Sequence, residues 1–122
     1  MSTMDIANKY VGLCKEFRFD AALELFSNDA VSVEAGAPPG KSAEARGLDA
    51  IREKGREWGA SHEVHSGKVE GPWPNGNRFL VRFTFDVTNK AMGQRMQMDE
   101  MGLFTVENGK IVREEFFYSM GG

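Results

Sequence analysis

The sequence predicts an α+β domain in which a curved, mostly antiparallel sheet wraps its concave face around three N-terminal helices. Three observations predict it. Apolar residues before about position 60 recur at helical spacing, those after His62 alternate with a period of two, and turn signals separate the later segments: PNGN at 74–77, Gly93, and ENGK at 107–110. A chain of 122 residues with 41% hydrophobic content and nine Phe can bury one core but not two of ordinary size, so a single domain spanning 1–122 is expected.

Ile6, Tyr10, Leu13 and Phe17 share one helical face, and STMD at 2–5 supplies a capping box, so a first helix begins near Asp5. A second follows with Asp20 as N-cap and an apolar stripe of Ala22, Leu23 and Phe26, ended by Ser27–Asn28–Asp29. VSVE at 31–34 is a short strand, and the Gly/Pro-rich residues 35–47 read as a loop. A third helix, capped by Asp49 and closed by Gly59, carries Leu48, Ile51, Gly55 and Trp58. In RFLVRFTFDVT, residues Phe79, Val81, Phe83, Phe85 and Val87 face the core, while Arg82, Thr84 and Asp86 face the other way. Met96, Met98, Glu100, Gly102, Phe104 and Val106 share one face of the next strand, as do Val112, Glu114, Phe116, Tyr118 and Met120 on the last.

A net charge of -3, with 15 basic residues scattered among 18 acidic ones, gives no stripe for nucleic acid or an anionic membrane. No apolar run approaches the roughly 18 residues of a membrane span, and the N-terminus lacks a secretory pattern, so a cytoplasmic protein is expected. Cys14 is the only cysteine, which excludes an internal disulfide and a Cys-based metal pair. His62 and His65 fall on opposite strand faces and make no metal pair, so no metal site and no cofactor are expected.

The stretch KYVGLCKEFRFDAALELFSNDAVSVE, with LFSNDAVSVE and NGKIVREEF as its clearest signatures, resembles the nuclear-transport-factor-2-like superfamily, which includes SnoaL-like cyclases and ketosteroid isomerases. The resemblance covers nearly the whole chain and implies a cystatin-like cone that commonly dimerises through its sheet, where Arg82, Thr84 and Asp86 would contribute polar contacts. It is more specific for fold than for activity, since this cone hosts isomerases, cyclases, hydrolases and binding modules. By the isomerase pattern, Tyr10 falls on the oxyanion donor and Glu34 on the general base, while the third position, an uncharged carboxylic acid in that family, is Gly102. Asp99 has the wrong parity to replace that acid; Glu100 has the right parity but lies two residues along the strand, some 7 Å away.

Moving a proton from a carbon beside a carbonyl requires a base and a donor for the developing enolate oxygen. Glu34 and Tyr10 suit these roles, with Met96, Met98, Phe104 and Phe116 as apolar walls around Gly102. Glu100, Glu114 and Tyr118 share the cavity-facing parity. Three glutamates around one pocket repel, so one stays protonated at neutral pH and can donate where Gly102 cannot. The competing readings are plainer: Glu34 as a solvated strand end, Tyr10 as a core tyrosine, Glu114 on an outer strand, and the methionines as core or dimer-face filling. The expected function is cofactor-independent acid/base chemistry on a small apolar carbonyl compound. A SnoaL-like cyclase or a non-catalytic ligand-binding or interaction module is the alternative.

Overall fold

A computed structural model describes residues 1–37 and 39–119, which form three α-helices and one six-stranded sheet. The capping box forms as the sequence implies: the Asp5 amide donates to the Ser2 hydroxyl, and the Ser2 amide donates to the Asp5 carboxylate. Helix α1 (Thr3–Lys15) therefore starts two residues before Asp5, and it buries Ile6, Ala7, Tyr10, Val11 and Cys14. Phe17 lies beyond it. There Phe17 adopts a left-handed φ of 58°, its amide donates to the Cys14 carbonyl and the Arg18 amide to the Leu13 carbonyl, a paired termination that a glycine usually provides. That conformation costs a residue with a β-carbon roughly 1–2 kcal/mol; contacts of the Phe17 ring with Phe19 and Phe85 offset it. Replacing Ser2 by alanine is expected to lower stability by about 1 kcal/mol, read as a shifted urea midpoint with unchanged m.

Helix α2 (Phe19–Ala22) continues as a 3-10 turn over Leu23–Leu25. Arg18, not Asp20, is its cap residue, and Asp20 sits in the first turn. Strand β1 (Phe26–Val33) begins at Phe26, so Ser27–Asp29 lie inside a strand where its pairing is irregular rather than between helix and strand. Inside the expected loop, strand β2 (Glu44–Arg46) pairs with Val31–Val33. Helix α3 (Leu48–Ser61) has Gly47 as its cap residue at a φ of 90°, which a side chain would strain, while Asp49 is in the first turn. Gly59 does not end it.

Strands β3 (His62–Asn75), β4 (Arg78–Asn89), β5 (Gln94–Glu107) and β6 (Lys110–Phe117) form the expected meander. Asn108 and Gly109, both at positive φ, make the two-residue hairpin that ENGK implies. The order across the sheet is β2-β1-β6-β5-β4-β3, antiparallel throughout except for β1 beside β6. Burial alternates along β4 and β5 as predicted. On β6 it does not, because Val112 is an extra residue bulged between the pairs Val106↔Ile111 and Thr105↔Arg113. Ile111 is therefore the buried residue in place of Val112, in phase with Glu114 across the bulge. Met120 lies outside the described residues.

Helix α1 packs on β3 and β4, and α3 on β1, over a core that includes Ile6, Phe26, Phe79, Val81, Phe104 and Ile111. On the opposite face Arg82 holds Asp99 and Arg95 holds Asp86, each through two hydrogen bonds within the chain. Among the described residues no helix is long and apolar enough to cross a membrane.

Candidate functional site

Alternation along β1 turns Ala30 and Ser32 inward, and the next step of the same period carries Glu34, just past the strand end, toward the space under α3. The Glu34 amide donates to the Ala43 carbonyl, which fixes the backbone there. Its side chain meets two donors. Lys54 Nζ, from the second turn of α3, donates to Oε1 at 2.7 Å, and the Tyr118 hydroxyl donates to Oε2 at 3.0 Å. Lys54 Nζ also donates to the Ser32 Oγ at 2.5 Å and lies 5.3 Å from the centre of the Phe116 ring, within cation–π range.

Ser32 is fully buried and stands opposite Glu114 in the parallel β1–β6 pair. Glu114, 5% exposed, has its pKa pushed up by burial; the Ser32 hydroxyl and Lys54 act against that rise, and the charge of Glu34 adds to it. Glu100 lies on β5, one step beyond the pair Met101↔Phe117 and so level with Tyr118. Burial raises its pKa to about 7, with Glu34 and Glu114 adding to the rise and Lys54 opposing it. Burial likewise lifts Tyr118 to about 12, and the neighbouring Glu34 charge contributes. Tyr10 is wedged among Phe26, Phe79 and Phe104, and burial, with Cys14, Glu114 and Glu100 nearby, raises its pKa well above the ordinary phenol value. Both hydroxyls stay protonated at neutral pH.

These groups border one cavity of about 440 Å³ between the sheet and the helices. Of the residues expected there, Tyr10, Glu34, Met98, Glu100, Glu114, Phe116 and Tyr118 line it. Gly102 and Phe104 do not: Phe104 is fully buried, stacked on Phe79 behind the wall, and Gly102 lies beneath it. A β-carbon on Gly102 would stand 2.8 Å from one Phe104 ring carbon and 3.2 Å from Phe116. The place where the isomerase pattern has an acid is thus filled by an aromatic ring. Met96 packs on the core and is no part of the lining.

The apolar wall comes largely from residues not singled out for it, namely Phe19, Leu23, Ile51, Trp58, Phe83 and Phe85. Lys54 was missed too, although its position was legible: it sits three residues after Ile51 on the stripe that runs through Gly55 to Trp58, so a cation falls on a core-facing row. His62 stacks on Trp58, and His65 meets the Thr88 hydroxyl. Among the described residues no group of three His, Cys, Asp or Glu is placed to hold a metal.

Comparison with known proteins accords with this architecture. The SnoaL-like domain family matches residues 1–118. The crystal structure of a candidate SnoaL-like polyketide cyclase from Mesorhizobium loti, also described as a carbohydrate phosphatase, is similar at a TM-score of 0.91 and 45% identity, over 97% of this chain and 100% of that one. An NTF2-like protein from Burkholderia thailandensis is similar in fold at a TM-score of 0.81 and 18% identity, over 96% of this chain and 90% of its own. A candidate isomerase from Bacillus subtilis gives 0.76 and 17%, over 96% and 86%. No curated protein matches the chain. With residues 1–118 matched and a relative 45% identical over almost the whole chain, the chain belongs to the SnoaL-like domain family, and its fold is nuclear-transport-factor-2-like.

Proposed function

We propose that this protein is a cofactor-independent acid/base enzyme that removes a proton from the carbon beside a carbonyl in a small, mostly apolar substrate. One observation carries the reading: Glu34, Glu100 and Glu114 converge on a cavity whose wall is largely apolar but also carries Lys54, Arg52 and Asp20, and one of the three glutamates, Glu100, is balanced near pH 7. A base whose pKa lies near working pH is present in its reactive form and still strong enough to draw a proton from carbon. The family resemblance puts the base at Glu34. Both Glu34 oxygens, however, already accept hydrogen bonds from Lys54 and Tyr118, so proton abstraction falls to Glu100. Glu34 then positions those two donors. The Tyr10 hydroxyl, kept protonated at the cavity wall where its neighbour is the weakly accepting Cys14 thiol, turns to the enolate oxygen as first donor.

Ring closure begins with the same proton removal as isomerisation: the enolate carbon attacks a second carbonyl instead of being reprotonated elsewhere. The likeness to the Mesorhizobium loti protein at 45% identity favours this cyclase version. The experiment is exchange of α-protons from a panel of cyclic and aromatic ketones in deuterated water, with the wild type, Glu100→Gln and Glu34→Gln. Exchange in the wild type that disappears in Glu100→Gln supports the proposal. Loss only in Glu34→Gln would return the base to that residue, and no exchange from any ketone that binds would leave a binding module.

A further inference from the structure

An enolate oxygen needs more than one donor if its charge is to be met in an apolar cavity, and the sheet position that holds an acid in the isomerase pattern is closed by Phe104. The hydroxyl of Tyr118 is spent on Glu34. Glu114 is buried beside Ser32. Lys54 differs from both. An ammonium carries three N–H groups, and the protein engages two of them, on the Ser32 hydroxyl at 2.5 Å and the Glu34 carboxylate at 2.7 Å. Lys54 lines the cavity, and its nitrogen lies 5.3 Å from the ring of Phe116, another lining residue, so the remaining N–H is on the cavity side of the two bonds already made. Ser32 has no freedom to follow it, being fully buried on a strand paired on both sides.

We propose that Lys54 is the electrophilic residue of this site: its third N–H binds the substrate carbonyl oxygen and holds the negative charge that develops there when the neighbouring C–H is broken. This rests on the acid/base reading above and names the missing second donor. In that step the Glu100 carboxylate takes the proton, the C–H electron pair becomes the enolate C=C bond, and the carbonyl π pair moves onto the oxygen facing Lys54. Every electron stays within substrate and base, so no oxidant or metal enters the balance. Glu34 and Ser32 act on Lys54 rather than on substrate. Because the Lys54–Glu34 pair is neutral as a unit, the site offers a directed N–H more than a free positive charge, and a neutral ketone suits it better than a preformed anion.

The test uses 1-tetralone, an apolar ketone with exchangeable α-protons, labelled with carbon-13 at the carbonyl. Two quantities are read: the infrared stretch of the bound carbonyl, and kcat and KM for α-proton exchange. In the wild type the stretch is expected to fall below its position in an apolar solvent. In Lys54→Met the shift falls to the part that Tyr10 alone supplies, and kcat drops about a hundredfold to a thousandfold with little change in KM, as for loss of one oxyanion donor. Lys54→Arg keeps a charged donor and recovers part of both readouts. Since Lys54→Met leaves Glu34 without its cation, Lys54→Met/Glu34→Gln is measured beside it; the double variant leaves Glu34 no uncompensated charge and should show the same reduced shift. A shift of undiminished, wild-type size in the folded single or double variant overturns the proposal and assigns the oxygen to Tyr10 alone. Tetralone that does not bind the wild type, or binds with an unshifted stretch, overturns it as well. A shifted stretch without any exchange would sink the acid/base reading while leaving Lys54 as the carbonyl contact.

Discussion

Glu100→Gln is expected to lose activity and gain stability at once. The loss, about 10²- to 10⁴-fold in α-proton exchange, is the usual contribution of a positioned general base. Wild-type exchange should rise with pH as Glu100 deprotonates, with an apparent pKa near 7, and level off above it. The gain follows from the same burial. A carboxyl that titrates near 7 when folded and near 4.5 when unfolded is bound to its proton more tightly in the native protein. Stability therefore falls as pH rises from 4.5 through 7, and above that window folding carries the full cost of an ionised Glu100. The difference between 4.5 and about 7, at about 1.36 kcal/mol per pH unit, amounts to roughly 3 kcal/mol. Glutamine never ionises, so urea midpoints of the variant should exceed the wild type at pH 8 and match it at pH 4. Glu114, whose pKa is raised the same way, leaves a residual slope in both proteins. Parallel midpoint-against-pH curves for wild type and variant would show that Glu100 does not titrate as described.

The second large effect is expected from Gly102→Asp, the change that restores the acid of the isomerase pattern. It should destabilise the protein and add no activity. The new β-carbon meets Phe104 at 2.8 Å and 3.0 Å, and that ring cannot yield because it is stacked on Phe79 at 5.0 Å and in contact with Tyr10 at 4.5 Å. Overpacking of this kind costs about 1–3 kcal/mol, and burying the carboxyl adds about 1–3 more. Chemical denaturation reads the loss directly. Gly102→Asp combined with Phe104→Ala, which clears the ring, tests the cause: if the ring is the obstacle, the pair should be less destabilised than the sum of the two single changes. Simple additivity would mean that the clash is not the source.

The sheet was easy to read because its signals are local. Alternation in RFLVRFTFDVT and the Asn-Gly turn at 108–109 each specify geometry within a few residues. What escaped was decided by distant partners. Strand β2 is three residues long and has no period of its own; it exists because Val31–Val33 offer it a free edge. Ile111 replaces Val112 in the core through a bulge set by the register with β5. At the candidate site, the isomerase pattern pointed to Glu34, strand parity added Glu100, Glu114 and Tyr118, and all four line one cavity. Parity could not tell that Phe104 turns behind the wall over a glycine, since rotamer and packing settle that. Lys54 was hidden by habit: a lysine on an amphipathic helix reads as solvated until the stripe Ile51, Lys54, Gly55, Trp58 is followed residue by residue.

The parallel contact between β1 and β6 also dictates when the cavity can exist during folding. Within the sheet, β1 bonds only to β2 and β6, and its partners Arg113–Glu115 lie some eighty residues further along the chain. The hairpins β3–β4, β4–β5 and β5–β6 close short loops and need not wait for it. Ser32 and Glu34 arrive with β1, whereas Glu114 and Tyr118 arrive with the end of the chain, so the polar groups meet only when the longest loop has closed. A nascent chain that has not yet released β6 from the ribosome can hold much of the apolar wall and none of the Glu34–Tyr118 contact. Acquisition of that contact thus reports the meeting of β1 with β6, and chemistry at the site is withheld until these two strands lie side by side.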